Sequence, residues 1–145
     1  MAGSPNDDVL ARRLRHLGAR VTPHRRLIYQ TLRASVEHPD VETLAQLVRE
    51  RVPDISLATV YNTLHVLERA RLVRAIEDPS GRTRYDANDL PHHHFRCTAC
   101  GRLDDVPADV AGAHLTECTP PGYLVTEVRV ELVGVCPTCR AARGQ

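Results

Sequence analysis

SLATVYNTLHVLERARLVRAIEDPSGRTRYDA, residues 56–87, changes its hydrophobic rhythm halfway along. In the first half Val60, Leu64 and Leu67 recur three or four positions apart, with Arg71 on the same side, which is the spacing of one helical face. Ser56 stands just ahead of that run, where a hydroxyl can accept a hydrogen bond from a free amide of the first turn. In the second half two short runs flank Asp78-Pro79-Ser80-Gly81, a turn composition that predicts a β-hairpin. A capped helix followed by a two-stranded ribbon has the pattern of a winged helix-turn-helix, a DNA-binding architecture, and it sets the reading of the residues before it.

Those residues read as further helices. Leu10, Leu14 and Leu17 recur at helical spacing before Gly18, a stop signal. The pattern restarts at RVTPHRRLIYQTL, with Thr22 as N-cap, Pro23 at the first helical position and Leu27, Ile28 and Leu32 as the stripe. Asp40 caps a third helix with Leu44, Leu47 and Val48 inward, and Val52-Pro53 breaks the chain before Ser56.

Beyond the hairpin the character changes. Residues 87–91, ANDLP, make an interdomain hinge between a winged-helix domain over 1–86 and a second domain over 92–145. In the second, short strands are expected at 92–97 and 102–106, a helix over about 107–118, and a long strand at 123–136. In that strand Val128, Val130 and Leu132 alternate with Glu127, Arg129 and Glu131, so one face is expected to be buried. The fold class is therefore α+β: an N-terminal winged helix followed by a small α/β domain. A piece of about 55 residues buries too little surface to be stable without a staple.

Composition narrows the setting. Hydrophobic residues make up 42% of the 145, enough for a folded chain, but one Phe, four Tyr and no Trp leave few large anchors. The apolar runs are too short to span a bilayer, and MAGSPNDDV carries acidic residues where a signal peptide needs an apolar stretch. A cytoplasmic location is the expectation, in which cysteines stay reduced and CxxC pairs serve metals or redox chemistry. Residues 1–86 hold 14 Arg against 11 acidic residues, and residues 87–145 hold 5 against 7. That mild asymmetry is compatible with nucleic-acid binding by the first half and does not establish it.

Two donor groups crowd residues 86–139. Cys97-x-x-Cys100 and Cys136-x-x-Cys139 form two knuckles of the kind that hold tetrahedral zinc, and the second pair makes a redox motif the weaker reading. Cys118 stands apart as a buried helix cysteine. In PHHHFRCTAC, residues 91–100, an extended strand would send His92 and His94 to one face and His93 and Cys97 to the other. With Asp86 and Asp89 upstream and Asp104 and Asp105 downstream, the histidine pair suits Fe(II), Mn(II), Ni(II) or Zn(II). Such a site can be regulatory or hydrolytic. HExxH, a Gly-rich phosphate loop and an adjacent general base are all missing, which speaks against an enzyme.

Taken together, RVTPHRRLIY, ISLATVYNTLHVLERARLV, RYD, HHHFRCTACG and VGVCPTC resemble the ferric uptake regulator family, in the family's order and across nearly the whole chain. The resemblance implies a homodimer that binds double-stranded operator DNA, an inverted repeat, through the winged helix. It implies that the second domain dimerises and carries a structural Zn(II) on Cys97, Cys100, Cys136 and Cys139. The details resemble the peroxide-sensing branch, whose regulatory Fe(II) or Mn(II) site would fall on His38, Asp86, His92, His94 and Asp105. The iron-responsive branch typically has glutamate where Asp86 and Asp105 stand. A further family site needs a histidine where this chain has Val128. The implied activity is repression relieved when iron-catalysed oxidation converts His38 or His92 to 2-oxo-histidine.

On the fourth helix the side opposite Val60, Leu64 and Leu67 carries Tyr61 and Asn62, candidates to read base edges, with Thr59 beside them. Arg20, Arg25 and Arg26 are the expected phosphate contacts. The rival readings are the same fold answering to iron, manganese, nickel or zinc availability, a metallohydrolase, and a zinc-stapled module that binds protein rather than DNA.

Overall fold

The computed structural model describes residues 5–110 and 118–144. The chain divides into two compact units, the first ending at Asp89 and the second starting at Leu90. In the first, α1 (Pro5–His16), α2 (Pro23–Ala34), α3 (Val41–Arg49) and α4 (Leu57–Arg69) precede an antiparallel hairpin of β1 (Arg74–Glu77) and β2 (Thr83–Asp86).

The helix starts follow local chemistry. The side chains of Thr22, Asp40 and Ser56 accept hydrogen bonds from the amides of Arg25, Thr43 and Thr59, three residues on in each case. Each satisfies a donor that would otherwise be left open at the first turn. Leu10, Leu14, Ile28, Leu44, Val48, Val60, Leu64 and Leu67 are fully or almost fully buried in one core. Each such side chain stabilises the fold by roughly 1.5–3 kcal/mol relative to exposure. At the hairpin tip Asp78 Oδ1 accepts from the amides of Ser80 and Arg82, and Gly81 takes φ +80°, a region closed to most residues.

Three inward assignments change. Leu47 is 37% exposed, and Val41 and Ala45 complete the buried face of α3 instead. Leu47 sits at the rim of the stripe, where sequence spacing cannot separate partial from full burial. Arg71 lies beyond the end of α4 and is exposed. Tyr29, absent from the expected stripe, is buried in α2 beside Ile28.

The second unit is a three-stranded sheet in the order β4-β3-β5, from β3 (His92–Cys97), β4 (Leu103–Pro107) and β5 (Glu131–Gly134). β4 runs antiparallel to β3 and β5 parallel to it, and α5 (Pro137–Ala142) follows β5. After β4 the chain takes one 3-10 turn, Ala108–Val110. The helix expected over 107–118 lies mostly outside the described residues.

The long strand expected at 123–136 pairs regularly only over Glu131–Gly134. Val128 and Val130 are half-buried, but Leu132 is 44% exposed, so the alternating pattern does not bury a continuous face here. Cys118 is exposed in a turn rather than buried in a helix. Among the described residues no helix is long and apolar enough to cross a membrane.

Candidate metal centres

β3 and β5 are parallel neighbours, with Cys97 level with Gly134, so both chain segments leave the sheet at the same end. Cys97-x-x-Cys100 turns back there into β4, and Cys136-x-x-Cys139 opens α5. Topology thus gathers the four sulfurs, all within 4.8 Å of one another. Cys100 Sγ and Cys136 Sγ are 3.9 Å apart, nearly twice a disulfide bond length of about 2.05 Å. Zinc–sulfur bonds of about 2.3 Å in a tetrahedron put sulfurs roughly 3.8 Å apart, so the donor set fits zinc.

The thiols are unequal. The Cys136 amide, 3.3 Å from Cys97 Sγ, and then the Cys100 amide hold Cys97 down at about 6, well into the thiolate range at neutral pH. Hydrogen bonds from Cys139 to Cys100 and Cys136, aided by burial, push Cys139 up to about 12. A dication removes that inequality by making all four sulfurs thiolates.

The other group lies further up β3. His92 Nε2 is 3.1 Å from His94 Nε2, and Asp105 Oδ1 is 3.5 Å from the first and 3.8 Å from the second. Asp105 is the cross-strand partner of His94 on β4. His92 Nδ1 lies 2.7 Å from the Leu90 carbonyl, which can only accept, so Nδ1 carries the proton and Nε2 presents a lone pair. Two imidazole nitrogens converging with a carboxylate suit a cation at their centre. The donors are imidazole and carboxylate, harder than thiolate, and suit Fe(II) or Mn(II).

Neighbouring candidates are occupied otherwise. Asp104 pairs with Arg102 at 2.7 Å, and Asp89 pairs with Arg33 at 3.0 Å. His93 is buried, and neither ring nitrogen has a hydrogen-bond partner among the described residues. On the histidine-pair face Arg96 is buried and grips Glu131 at 2.8 and 2.6 Å, tying β3 to β5.

His38 and Asp86 belong to the first unit, where both are buried. Arg84 Nη1 donates to the His38 carbonyl at 3.0 Å, the Tyr85 amide donates to the Pro39 carbonyl at 3.0 Å, and Arg82 pairs with Asp40 at 3.3 Å. The loop bearing His38 is therefore laced along β2, the strand that ends in Asp86, whose Oδ1 accepts from the Asn88 amide. Sequence spacing offers no hint of this lacing, because its partners lie more than forty residues apart.

The residues expected at DNA divide. Tyr61 and Asn62 are exposed on α4, and Arg20 is exposed ahead of α2. Thr59 spends its hydroxyl in the α4 cap, 2.8 Å from Ser56 Oγ. Arg25 reaches back to the Arg20 carbonyl at 2.6 Å, and Arg26 lies 3.8 Å from Asp7.

A helical unit with a hairpin wing, followed by a small sheet unit bearing one thiolate and one imidazole–carboxylate donor set, defines a metal-dependent regulator of the winged-helix class. Residues 16–133 match the family model described as the ferric uptake regulator family, and the chain belongs to that family. Its members are transcriptional regulators, not enzymes.

The peroxide-responsive repressor PerR of Staphylococcus epidermidis is 32% identical over 133 residues, 88% of this chain and 85% of that protein. Ferric uptake regulation protein 2 of Mycolicibacterium fortuitum is 37% identical over 134 residues, 89% and 91% of the two chains. Among solved structures, the Campylobacter jejuni peroxide stress regulator aligns with a TM-score of 0.69 at 27% identity, covering 94% of this chain and 100% of that one.

Proposed function

We propose that the protein is a peroxide-sensing, metal-dependent repressor that acts as a homodimer on double-stranded DNA. The observation that carries this reading is the convergence of His92 Nε2, His94 Nε2 and Asp105 Oδ1 on one point, apart from the thiolates. His38 and Asp86 complete the regulatory set in this reading, and Cys97, Cys100, Cys136 and Cys139 hold a permanent zinc. Similarity to peroxide-responsive repressors supports the choice of branch.

Bound Fe(II) would supply the cleavage of the peroxide O–O bond, after which one oxygen and both oxidising equivalents go to a ligand imidazole, His38 or His92, and the other oxygen leaves as water. The chain's own residues do the rest. Leu90 fixes the His92 tautomer, and Asp105 balances charge beside both imidazoles. Because Arg84, Tyr85 and Arg82 lace the His38 loop to the wing, a ligand held by His38 and Asp86 would steady the hairpin from both ends. Occupancy then favours the DNA-binding arrangement, and a preference of about 100-fold corresponds to roughly 2.7 kcal/mol. Loss of a ligand imidazole reverses it. In this reading Tyr61 and Asn62, exposed on α4, meet base edges, and the exposed Arg20 meets phosphate.

The test uses the full chain loaded with Fe(II) or Mn(II) and a duplex selected by the Mn(II) form from a random pool. After low peroxide, the Fe(II) form should release DNA and gain one oxygen on the His38 or His92 peptide, while the Mn(II) form holds on. Retention of DNA by the oxidised Fe(II) form would sink the peroxide reading. A second reading, response to iron availability, is favoured by the 37% identity to ferric uptake regulation protein 2. It predicts release on iron withdrawal and an unmodified protein.

A further inference from the structure

Arg12, Arg13 and His16 of α1, with Arg69 at the end of α4 and Arg71 just beyond it, line an open groove of about 500 Å³. All five are exposed. None of the four arginine side chains has an ion pair or hydrogen bond among the described residues, whereas Arg25, Arg26, Arg33, Arg82 and Arg84 are all engaged. Four arginines lining one groove concentrate positive charge that an anion would neutralise.

The backbone at Arg71 points the same way. α1 and α4 end in the same turn: the amides of Gly18 and Ala19 reach the carbonyls of Arg15 and Leu14, and those of Arg71 and Leu72 reach Glu68 and Leu67. This double bond pattern requires a left-handed residue, usually glycine. α1 has Gly18 there at φ +72°, while α4 has Arg71 at φ +56°, the one positive-φ residue other than glycine among those described. An arginine stands where glycine would be more comfortable, and it is one of the residues lining the cationic groove.

α4 connects this groove to the DNA-reading surface. Its exposed stripe runs Ala58, Tyr61, Asn62, His65, Arg69 and ends in the groove. Thirteen residues rise about 20 Å, more than the roughly 12 Å width of a major groove, so a helix that reads bases with its first half carries its last turn over the sugar-phosphate wall. We propose that the Arg12–Arg13–Arg69–Arg71 groove is a phosphate-binding site for the DNA backbone flanking the bases that Tyr61 and Asn62 face. The inference rests on the reading of α4 as the DNA-reading helix. It places part of the affinity on residues that belong to neither donor set and meet phosphate rather than bases, so it acts on every DNA sequence alike.

The slope of log affinity against log salt for the Mn(II) form on its selected duplex measures this directly. Each phosphate that is no longer neutralised should flatten the slope by about 0.9. Arg71→Gly should flatten it by one such step while raising the melting temperature, because glycine relieves the left-handed backbone; Arg71→Lys should keep most of the slope. Arg12→Gln with Arg13→Gln and Arg69→Gln should flatten it further, with zinc content and sequence preference unchanged. Unaltered slopes in these variants, with wild-type protein binding the duplex normally, would overturn the site and leave the function intact; an acidic protein partner would then be the better occupant. A wild-type protein that retains no duplex at all would instead remove the function on which the site depends.

Discussion

β3 carries both donor sets, His92 and His94 at its start and Cys97 at its end, yet the two ends are built on different principles. The thiolate end is closed: two knuckles supply four sulfurs, all from the same unit, and the Cys136 amide already points at Cys97 Sγ. The imidazole end is open: three donors of this unit converge, and Asp105 is exposed. A full tetrahedron of soft ligands retains its metal, while a partial set of harder ligands exchanges it and leaves room for further donors. In the proposed reading one strand anchors a fixed ion three residues from a responsive one.

The comparison breaks most severely at the fixed end. Structural zinc contributes on the order of 10–16 kcal/mol of apparent binding, against a typical total stability of about 5–15 kcal/mol. Cys136→Ser, or exhaustive chelation, should unfold the second unit, read as loss of amide-exchange protection across β3–β5 while α1–α4 stay protected. Because Cys139 holds its proton up to about 12 in the absence of a cation, zinc must expel it on binding. Zinc affinity therefore falls as pH falls, and proton release on titration with zinc checks the sign.

At the open end the effect should be functional and smaller. Asp105→Asn keeps the shape of the group and removes the charge that balances two imidazoles, and His92→Ala removes a donor outright. We expect Mn(II) affinity to drop by about 10–100-fold for Asp105→Asn, comparable to losing a carboxylate that orients ligands elsewhere, and further for His92→Ala. His38→Ala should likewise abolish metal-dependent DNA binding. In all three, one zinc per chain should survive metal analysis. Loss of zinc from any of them would mean that the two centres share a ligand.

What could be read from the sequence follows the range of the interactions. The caps at Thr22, Asp40 and Ser56 and the parity that separates His92 and His94 from Cys97 were legible because each depends on neighbours within about four residues. The burial of Tyr29, the exposure of Leu47 and the lacing of the His38 loop to β2 were not, since they are decided by partners distant in sequence. The strand expected from Tyr123 onward failed for a related reason. Alternation at Val128, Val130 and Leu132 describes a residue pattern, but a strand exists only where a neighbour supplies hydrogen bonds, and β3 does so regularly only at Glu131–Gly134.

The smallest predicted effect tests whether the lacing matters. Asp40 caps α3 through the Thr43 amide at 2.9 Å and meets Arg82 of β2 at 3.3 Å. Burial works against its charge, but the Thr43 hydroxyl and amide and the Arg82 charge outweigh it and hold the carboxyl below its usual range. A depressed folded value means that the carboxylate stabilises the fold above the unfolded value of about 3.9 and ceases to as pH falls through the folded one. Asp40→Ala should cost about 1 kcal/mol at neutral pH, and that deficit should shrink in acid below about pH 4. Asp40→Asn keeps the cap and loses only a solvent-screened ion pair, worth at most about 1 kcal/mol. Urea unfolding followed by the tyrosine signal reports on the right unit, since Tyr29, Tyr61 and Tyr85 all lie in it. If the loop transmits metal occupancy to the wing, Asp40→Asn should weaken Mn(II)-dependent DNA binding more than it weakens the fold. Equal, small losses in both would confine Asp40 to capping α3 and leave the coupling of the His38 loop to the hairpin to Arg84 and Tyr85.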